Sequence, residues 1–303
     1  MEYAIESRNL SKDYSRKKGA LAGVDIQVRS GEIFGFIGPN GAGKTTFVKT
    51  ILDFIRPTSG EIFILGEPPA SNMRKKIGYL PERISIHSFL TPREFLKFQA
   101  KLSGMKDKNL SQKIDLCLER VKMTEAANRQ IGSFSKGMMQ RVGIAQSLLG
   151  EPDILIYDEP NSGLDPVGIQ DVRKIILDEK KRGATVFLNS HQLLEVEKTC
   201  DRVAILNEGR VVAQGSKSEL TGESALEIEI DRVTDSISSY LRSIDSNCTD
   251  MTGRFTLSPG SLDEESERII PQKLVEMGAR IVHYSKKQES LEEIFQKAVG
   301  NKI

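Results

Sequence analysis

Gly38-Pro39-Asn40-Gly41-Ala42-Gly43-Lys44-Thr45 has the spacing G-x-x-x-x-G-K-[ST], the pattern of a loop that holds a phosphate. Its glycines let consecutive backbone N–H groups turn inward, and a helix starting at Lys44 adds the partial positive charge of its N-terminus. Lys44 can then reach β- and γ-phosphate oxygens, and the Thr45 hydroxyl can ligate Mg2+. A second group, Asp158 and Glu159 after the apolar run Asp153–Tyr157, supplies what such a loop lacks. One carboxylate can hold a hydrated Mg2+, and the other can orient and deprotonate water. Either group alone could be an ordinary turn, but the phosphate loop upstream of the two acids favours the chemical reading of both.

These groups need elements that bring them together. Gly31–Gly38 is a short apolar run that stops at a Gly/Pro/Asn cluster before a helical pattern begins at Lys44, so it predicts strand, loop and helix. Phe47, Ile51, Phe54 and Ile55 recur at helical spacing and predict the face that packs on a sheet. Asp153–Tyr157 and Ala184–Leu188 predict two further buried strands, the second ending at Asn189-Ser190-His191. Ligands of open α/β sheets bind beyond the carboxyl ends of the strands, so the three ends predict one shared site. Arg202–Leu206 and Arg210–Gln214, around Asn207-Glu208-Gly209, predict a hairpin.

Helical texture begins with the capping box Thr91-Pro92-Arg93-Glu94 and continues through the face Ile114, Cys117, Leu118 and Val121. This insertion, about residues 89–150, either carries partner contacts or serves its own small core. Beyond a polar stretch the pattern predicts strand Leu226–Ile230, helix Val233–Ile244, strand Arg254–Leu257, helix Glu264–Met277 and strand Arg280–Ser285. A last helix opens at the capping box Ser290-Leu291-Glu292-Glu293. The expected organisation is an α/β domain over residues 1–221 and a small α+β domain over 222–303, with the boundary near Gly222.

The 303 residues, 38% hydrophobic and 28% charged, have the composition of a globular protein, with no run near the ~18 apolar residues of a spanning helix. Charges at Glu2, Glu6 and Arg8 argue against a secretory signal, which predicts a cytosolic protein. Cys117, Cys200 and Cys248 lie far apart, as reduced thiols rather than a thiolate metal site or disulfide framework. The net charge of +1 conceals a split: residues 222–303 hold 10 Lys+Arg against 15 Asp+Glu, and residues 1–221 hold 33 against 27. A mildly basic first part suits an anionic nucleotide, and it lacks the concentrated basic face of a nucleic-acid binder, so no nucleic acid is expected.

The order of motifs resembles the nucleotide-binding subunit of ATP-binding-cassette (ABC) transporters, from about Tyr3 to Gly215. Phe134-Ser135-Lys136-Gly137-Met138-Met139-Gln140-Arg141 is similar to the family signature, usually Leu-Ser-Gly-Gly-Gln, followed by a helix and the Asp158-Glu159 strand. Ser162-Gly163-Leu164-Asp165 resembles the D-loop, Asn189-Ser190-His191 the switch histidine, and Tyr14 the aromatic that meets adenine. The resemblance implies a P-loop NTPase fold with a helical insertion, and ATP with Mg2+ as cofactors. It implies Glu159 as general base, His191 at the γ-phosphate and Glu82 in the Q-loop as catalytic, with Thr45, Glu82 and Asp158 toward the metal. Nucleotide contacts fall to Tyr14, Gly38, Pro39, Asn40, Gly41, Ala42, Gly43, Lys44, Thr45, Thr46, Ser135, Gly137 and Asp165.

Two features depart from the commonest pattern. Glu82 replaces the Q-loop glutamine, and Lys136 and Met138 replace signature Gly and Gln. Both, with the ending Ser290–Phe295, resemble exporters of the multidrug and sodium type, whose permeases (ABC-2 type) are separate proteins. The implied partners are an integral membrane permease and a second copy, in a head-to-tail homodimer sandwiching two ATP. The implied location is the cytoplasmic face of the cell membrane. The helical insertion and the Glu82 loop would dock the permease, with Phe89 and Leu90 as candidates. A soluble ABC ATPase serving ribosomes, DNA or iron–sulfur assembly is the alternative. Against it stand the single phosphate loop, the absence of room for a long coiled coil, and the added tail domain.

Overall fold

Strands fully buried on both faces explain the apolar runs around the phosphate loop. The computed structural model describes residues 2–14, 17–105, 108–221, 224–258, 264–287 and 289–300. The first strands are β1 (Tyr3–Tyr14), β2 (Lys17–Arg29) and β3 (Ile33–Ile37), followed by α1 (Lys44–Ile51), β4 (Ser59–Ile64) and β5 (Ile77–Leu80). Three helices, α2 (Pro92–Leu102), α3 (Leu110–Arg120) and α4 (Lys136–Leu148), form the insertion. The chain continues through β6 (Ile154–Asp158), α5 (Pro166–Arg182), β7 (Thr185–Asn189), α6 (Leu193–Thr199), β8 (Arg202–Asn207) and β9 (Arg210–Ser216).

The main sheet has the order β5-β6-β7-β3-β8-β9. Its first five strands run parallel, and β9 returns antiparallel through the expected hairpin. Every residue of β3, β6 and β7 is buried. Phe36 and Asp158 both pair with Asn189, and Leu80 pairs with Tyr157, so the carboxyl ends of β5, β6, β7 and β3 lie side by side. Under these ends, Phe47 of α1 meets Phe36 (ring centroids 5.0 Å apart) and Phe187 (5.9 Å), which fixes the helix to the sheet.

A second sheet, β2-β1-β4, is antiparallel and was not expected from the sequence pattern. It delivers Ala20 of β2 to the phosphate loop. The α1 stripe also ends earlier than its spacing predicts. The helix stops at Ile51, Asp53 takes a left-handed φ of 55°, and Phe54 is left exposed, edge-on to Tyr79 and beneath Arg74.

In the insertion, the Thr91 capping box forms as expected, with Thr91 N–H donating to Glu94 (2.9 Å) and Glu94 N–H donating to Thr91 Oγ1 (3.2 Å). Arg120 of α3 pairs with Glu179 of α5, and Arg141 of α4 with Asp171 of α5 (3.2 Å). Burial favours protonation of Asp171, but bonds from Lys122 and Arg141 outweigh it and hold the carboxyl below its ordinary range.

The chain divides into two compact units, one of Met1–Lys217 with Lys297–Ile303 and one of Ser218–Gln296. The expected boundary at Gly222 lies outside the described residues. Residues Lys217–Thr221, within the polar stretch before the expected boundary, form the short helix α7. The second unit holds β10 (Ala225–Ile230), α8 (Asp235–Ile244), β11 (Thr249–Met251), β12 (Arg254–Leu257), α9 (Glu264–Glu276) and β13 (Ile281–Lys287). Its antiparallel sheet has the order β11-β12-β10-β13, and Leu226, Ile228, Phe255 and Leu257 pack with Ile237, Leu241, Ile270 and Leu274 of α8 and α9. The last helix, α10 (Leu291–Val299), starts at the Ser290 capping box. The three cysteines are free. Among the described residues no helix is long and apolar enough to cross a membrane.

Candidate functional site

The loop between β3 and α1 depends on glycine for lack of space. A Cβ on Gly38 would stand 2.2 Å from the Leu206 carbonyl oxygen, and one on Gly43 would stand 2.3 Å from that of Ala20. Gly43 also has φ 114°, which disfavours any other residue there. It precedes α1 without a side-chain cap, so the first-turn amides at Lys44, Thr45 and Thr46 keep the anion-binding capacity of a helix start. Lys44 is buried and donates to the carbonyls of Gly38 (2.6 Å) and Pro39 (3.1 Å). Its pKa is lowered by desolvation, against the opposing fields of Glu159, Asp158 and Glu82. Asn40 and Gly41 are exposed at the loop tip, Thr45 is exposed, and Ala42 is buried.

Asp158, 4% exposed, ends β6 and accepts a 2.6 Å bond from the Asn189 amide of β7. Burial pushes its carboxyl up to about 6, the Asn189 bond opposes this, and Glu82 and Glu159 add to it. Glu159 follows with a left-handed φ of 54°, a strained conformation for a residue with a side chain. Its N–H donates to Asn189 O (2.8 Å), and its Oε1 receives His191 N–H (3.0 Å) and faces His191 Nδ1 at 2.8 Å. Glu82, just beyond β5, is exposed and adds its field to Lys44, Asp158 and Tyr79.

The structure thus gathers Lys44, Glu82, Asp158, Glu159 and His191 at the tips of neighbouring strands. Tyr14 ends β1, half-exposed, with Lys12 Nζ 5.5 Å from its ring centroid. Ser135, Gly137 and Asp165 form a second cluster at the starts of α4 and α5. Ser135 Oγ caps α4 by accepting from Met138 N–H (3.2 Å), and Asp165 Oδ1 caps α5 by accepting from Gly168 N–H (2.7 Å). A Cβ on Gly137 would lie 3.1 Å from the Gly163 carbonyl, which brings the two loops together. Lys136 donates to Ser162 Oγ (2.8 Å), a contact that sequence left undecided between added charge and solvent.

A family model described as ABC transporter matches residues 21–162. BcrA, a bacitracin transport ATP-binding protein of Enterococcus faecalis, is 32% identical over 308 residues, covering 99% of this chain and 97% of BcrA. The chain belongs to the ABC transporter ATP-binding proteins. An uncharacterized ABC transporter ATP-binding protein of Nostoc sp. is 44% identical over 211 residues, 69% of this chain, and the match spans 63% of that relative's length. A solved structure of an ATP-binding subunit of an ABC transporter is similar at a TM-score of 0.66 and 33% identity, covering 72% of this chain and 91% of that one.

Membership of this ATP-hydrolysing family implies ATP with Mg2+, and the residues present fit both. Glycine at 38 and 43 lets the loop backbone pack against the Leu206 and Ala20 carbonyls, and the uncapped first-turn amides of α1 are left to meet a phosphate. The oxygen donors Thr45, Asp158 and Glu82 suit a hard cation. Among the described residues no three His, Cys, Asp or Glu side chains could hold a metal together.

Two residues that lie within the sequence motifs, without a role of their own assigned there, contribute bonds to the site. Asn189 serves as the amide partner of Asp158, and Gln140 of α4 donates to the Glu159 and Pro160 carbonyls. The available signals were an amide ending a buried strand at Asn189 and an amide on the helix after the signature at Gln140, each of which needs a partner once buried.

Proposed function

We propose that this ABC protein hydrolyses ATP to power export through a separate membrane permease, acting as a head-to-tail homodimer on the cytoplasmic face of the membrane. The convergence of Lys44, Asp158 and Glu159 beside the glycine loop carries the reading. Loop amides and Lys44 bind the β- and γ-phosphates, and Thr45, Asp158 and Glu82 hold the cation. Mg2+ neutralises phosphate charge and orients the γ-phosphoryl group when bound. Tyr14 offers its exposed ring to adenine. Glu159 accepts the proton of the attacking water at Oε2 while His191 holds Oε1, and His191 in turn meets the γ-phosphate. Ser135, Gly137 and Asp165 complete the site of the second copy, so nucleotide binding closes the dimer and hydrolysis releases it.

Export is supported by the end-to-end likeness to a bacitracin transport ATP-binding protein and by the Glu82 and Lys136 substitutions. Docking of the permease is supported by a groove of about 580 Å3 lined by Tyr79, Ile84, Phe95, Met105 and Gln146, where β5 meets α2 and α4. Phe89 and Phe98 are exposed on the insertion, and Leu90 is partly buried.

Titration with labelled ATP and Mg2+ tests the nucleotide site: saturable binding by the parent and its loss in Lys44→Ala are expected. Absence of saturable binding by the folded parent overturns the reading. Glu159→Gln should bind ATP and accumulate as a dimer in size-exclusion chromatography, whereas a monomer at saturating ATP overturns the sandwich. Co-purification of the chain with an integral membrane permease tests the transport assignment.

A further inference from the structure

Lys136 and Gln140 stand one turn apart on the same face of α4, and both reach the segment that follows β6. Gln140 is 3% exposed, and its Nε2 donates to the carbonyls of Glu159 (3.1 Å) and Pro160 (2.9 Å). A buried amide is retained at this cost only where it is bonded. The peptide it holds is the strained one, since Glu159 has a left-handed φ. Three other bonds over-determine that conformation: Glu159 N–H to Asn189 O, Ser162 N–H to Glu159 O, and His191 N–H to Glu159 Oε1. Those three arise within the loops at the strand tips. The Gln140 bond is the one that comes from a helix, and that helix is capped by Ser135 five residues earlier.

We infer that Gln140 is a positioning residue: it fixes the turn after Glu159, aims the carboxylate, and couples the base to the signature at the start of the same helix. The inference rests on Glu159 being the general base. Its consequence is a route between two half-sites. In the proposed homodimer Ser135 faces the nucleotide of the second copy, so a shift at the start of α4 would move Gln140 and with it Glu159 of the same chain. Lys136, through Ser162, adds a second tether on the same helix face.

The test compares steady-state hydrolysis, ATP affinity and thermal midpoint for full-length Gln140→Met, Gln140→Glu and Gln140→His. Methionine keeps the length and loses the donor, glutamate presents an acceptor to two carbonyls, and histidine returns a ring N–H at similar reach. Gln140→Met should lose on the order of 10–100-fold in kcat, with ATP affinity unchanged. Gln140→His should recover most of that loss. In a Glu159→Gln background, Gln140→Met should cost nothing further in single-turnover hydrolysis.

A kcat within about twofold of the parent for Gln140→Met overturns the inference, as does a loss that multiplies in full with Glu159→Gln. Parallel loss of ATP binding also overturns it. If the methionine variant does not fold, the glutamate variant is judged by the same criteria. Parent-like hydrolysis by Glu159→Gln is a different result, which removes the base assignment itself.

Discussion

Two sheets of this chain place carboxylates on their strands and treat them in opposite ways. At the tip of the main sheet, Asp158 is buried against an amide, and among the described residues no Lys or Arg forms an ion pair with it or with Glu159. Lys44 lies close enough to act on both by its field, yet its bonds go to the loop carbonyls. In the four-stranded sheet, Glu229 instead pairs with its cross-strand neighbour Arg254 at 2.9 Å, and Glu227 pairs with Lys287 at 3.2 Å. Paired carboxylates on a solvent-facing sheet are complete without a ligand. Asp158, buried against an amide and crowded by the fields of Glu82 and Glu159, carries an electrostatic cost that an incoming cation relieves, and this difference sets the carboxylates of the main sheet apart from those of the second.

The largest effect should come from Glu159. Replacing it with glutamine should lower kcat by roughly 10²–10⁴-fold, measured as phosphate release at saturating ATP, without weakening nucleotide binding. Next come the two cores. Phe47→Ala and Phe255→Ala should each cost about 3–5 kcal/mol by denaturant unfolding. Phe47 supports the phosphate loop and Phe255 the second unit, so only the first should also abolish ATP binding. Nucleotide binding lost equally in both would erase the distinction between the sheets.

Asp158 gives a smaller, pH-dependent effect. Its carboxyl, normally near 3.8, is raised to about 6, so folding favours its protonated form. The stability this contributes is present below the unfolded value and is lost as pH rises through about 6. Relative to Asp158→Asn, the parent without nucleotide should therefore lose stability between about pH 4 and pH 6, read from paired thermal melts. Mg2+ affinity in the presence of ATP should rise more steeply over the same window in the parent than in Asp158→Asn, because the cation competes with that proton as well as with the one on ATP. A flat difference would show that burial does not govern Asp158. The smallest effect belongs to Glu229→Gln: the exposed pair with Arg254 should leave both thermal midpoint and hydrolysis essentially unchanged.

The phosphate loop, its strand and its helix were legible in sequence because their requirements are local. Glycine spacing, a lysine at the helix start and an apolar run each state their own conformation within about ten residues. The capping boxes at Thr91 and Ser290 were legible for the same reason. The β2-β1-β4 sheet was not, because Ile5 pairs with Ile64 and Ser7 bonds to Val24 across intervals that no local pattern specifies. The edge strand β5 was also missed: its four residues are too few for periodicity to register.

Sequence by itself determined which chemical groups the chain carries and, through family resemblance, which of them belong together. Tertiary structure alone decided how they are held. It gave Asp165 a helix-capping bond, left Phe54 in solvent, turned Lys136 onto Ser162, and set Gln140 against the backbone of Glu159. The physical reason is that identity and spacing act along the chain, whereas burial, strain and hydrogen-bond partners are fixed only when distant segments pack and exclude water.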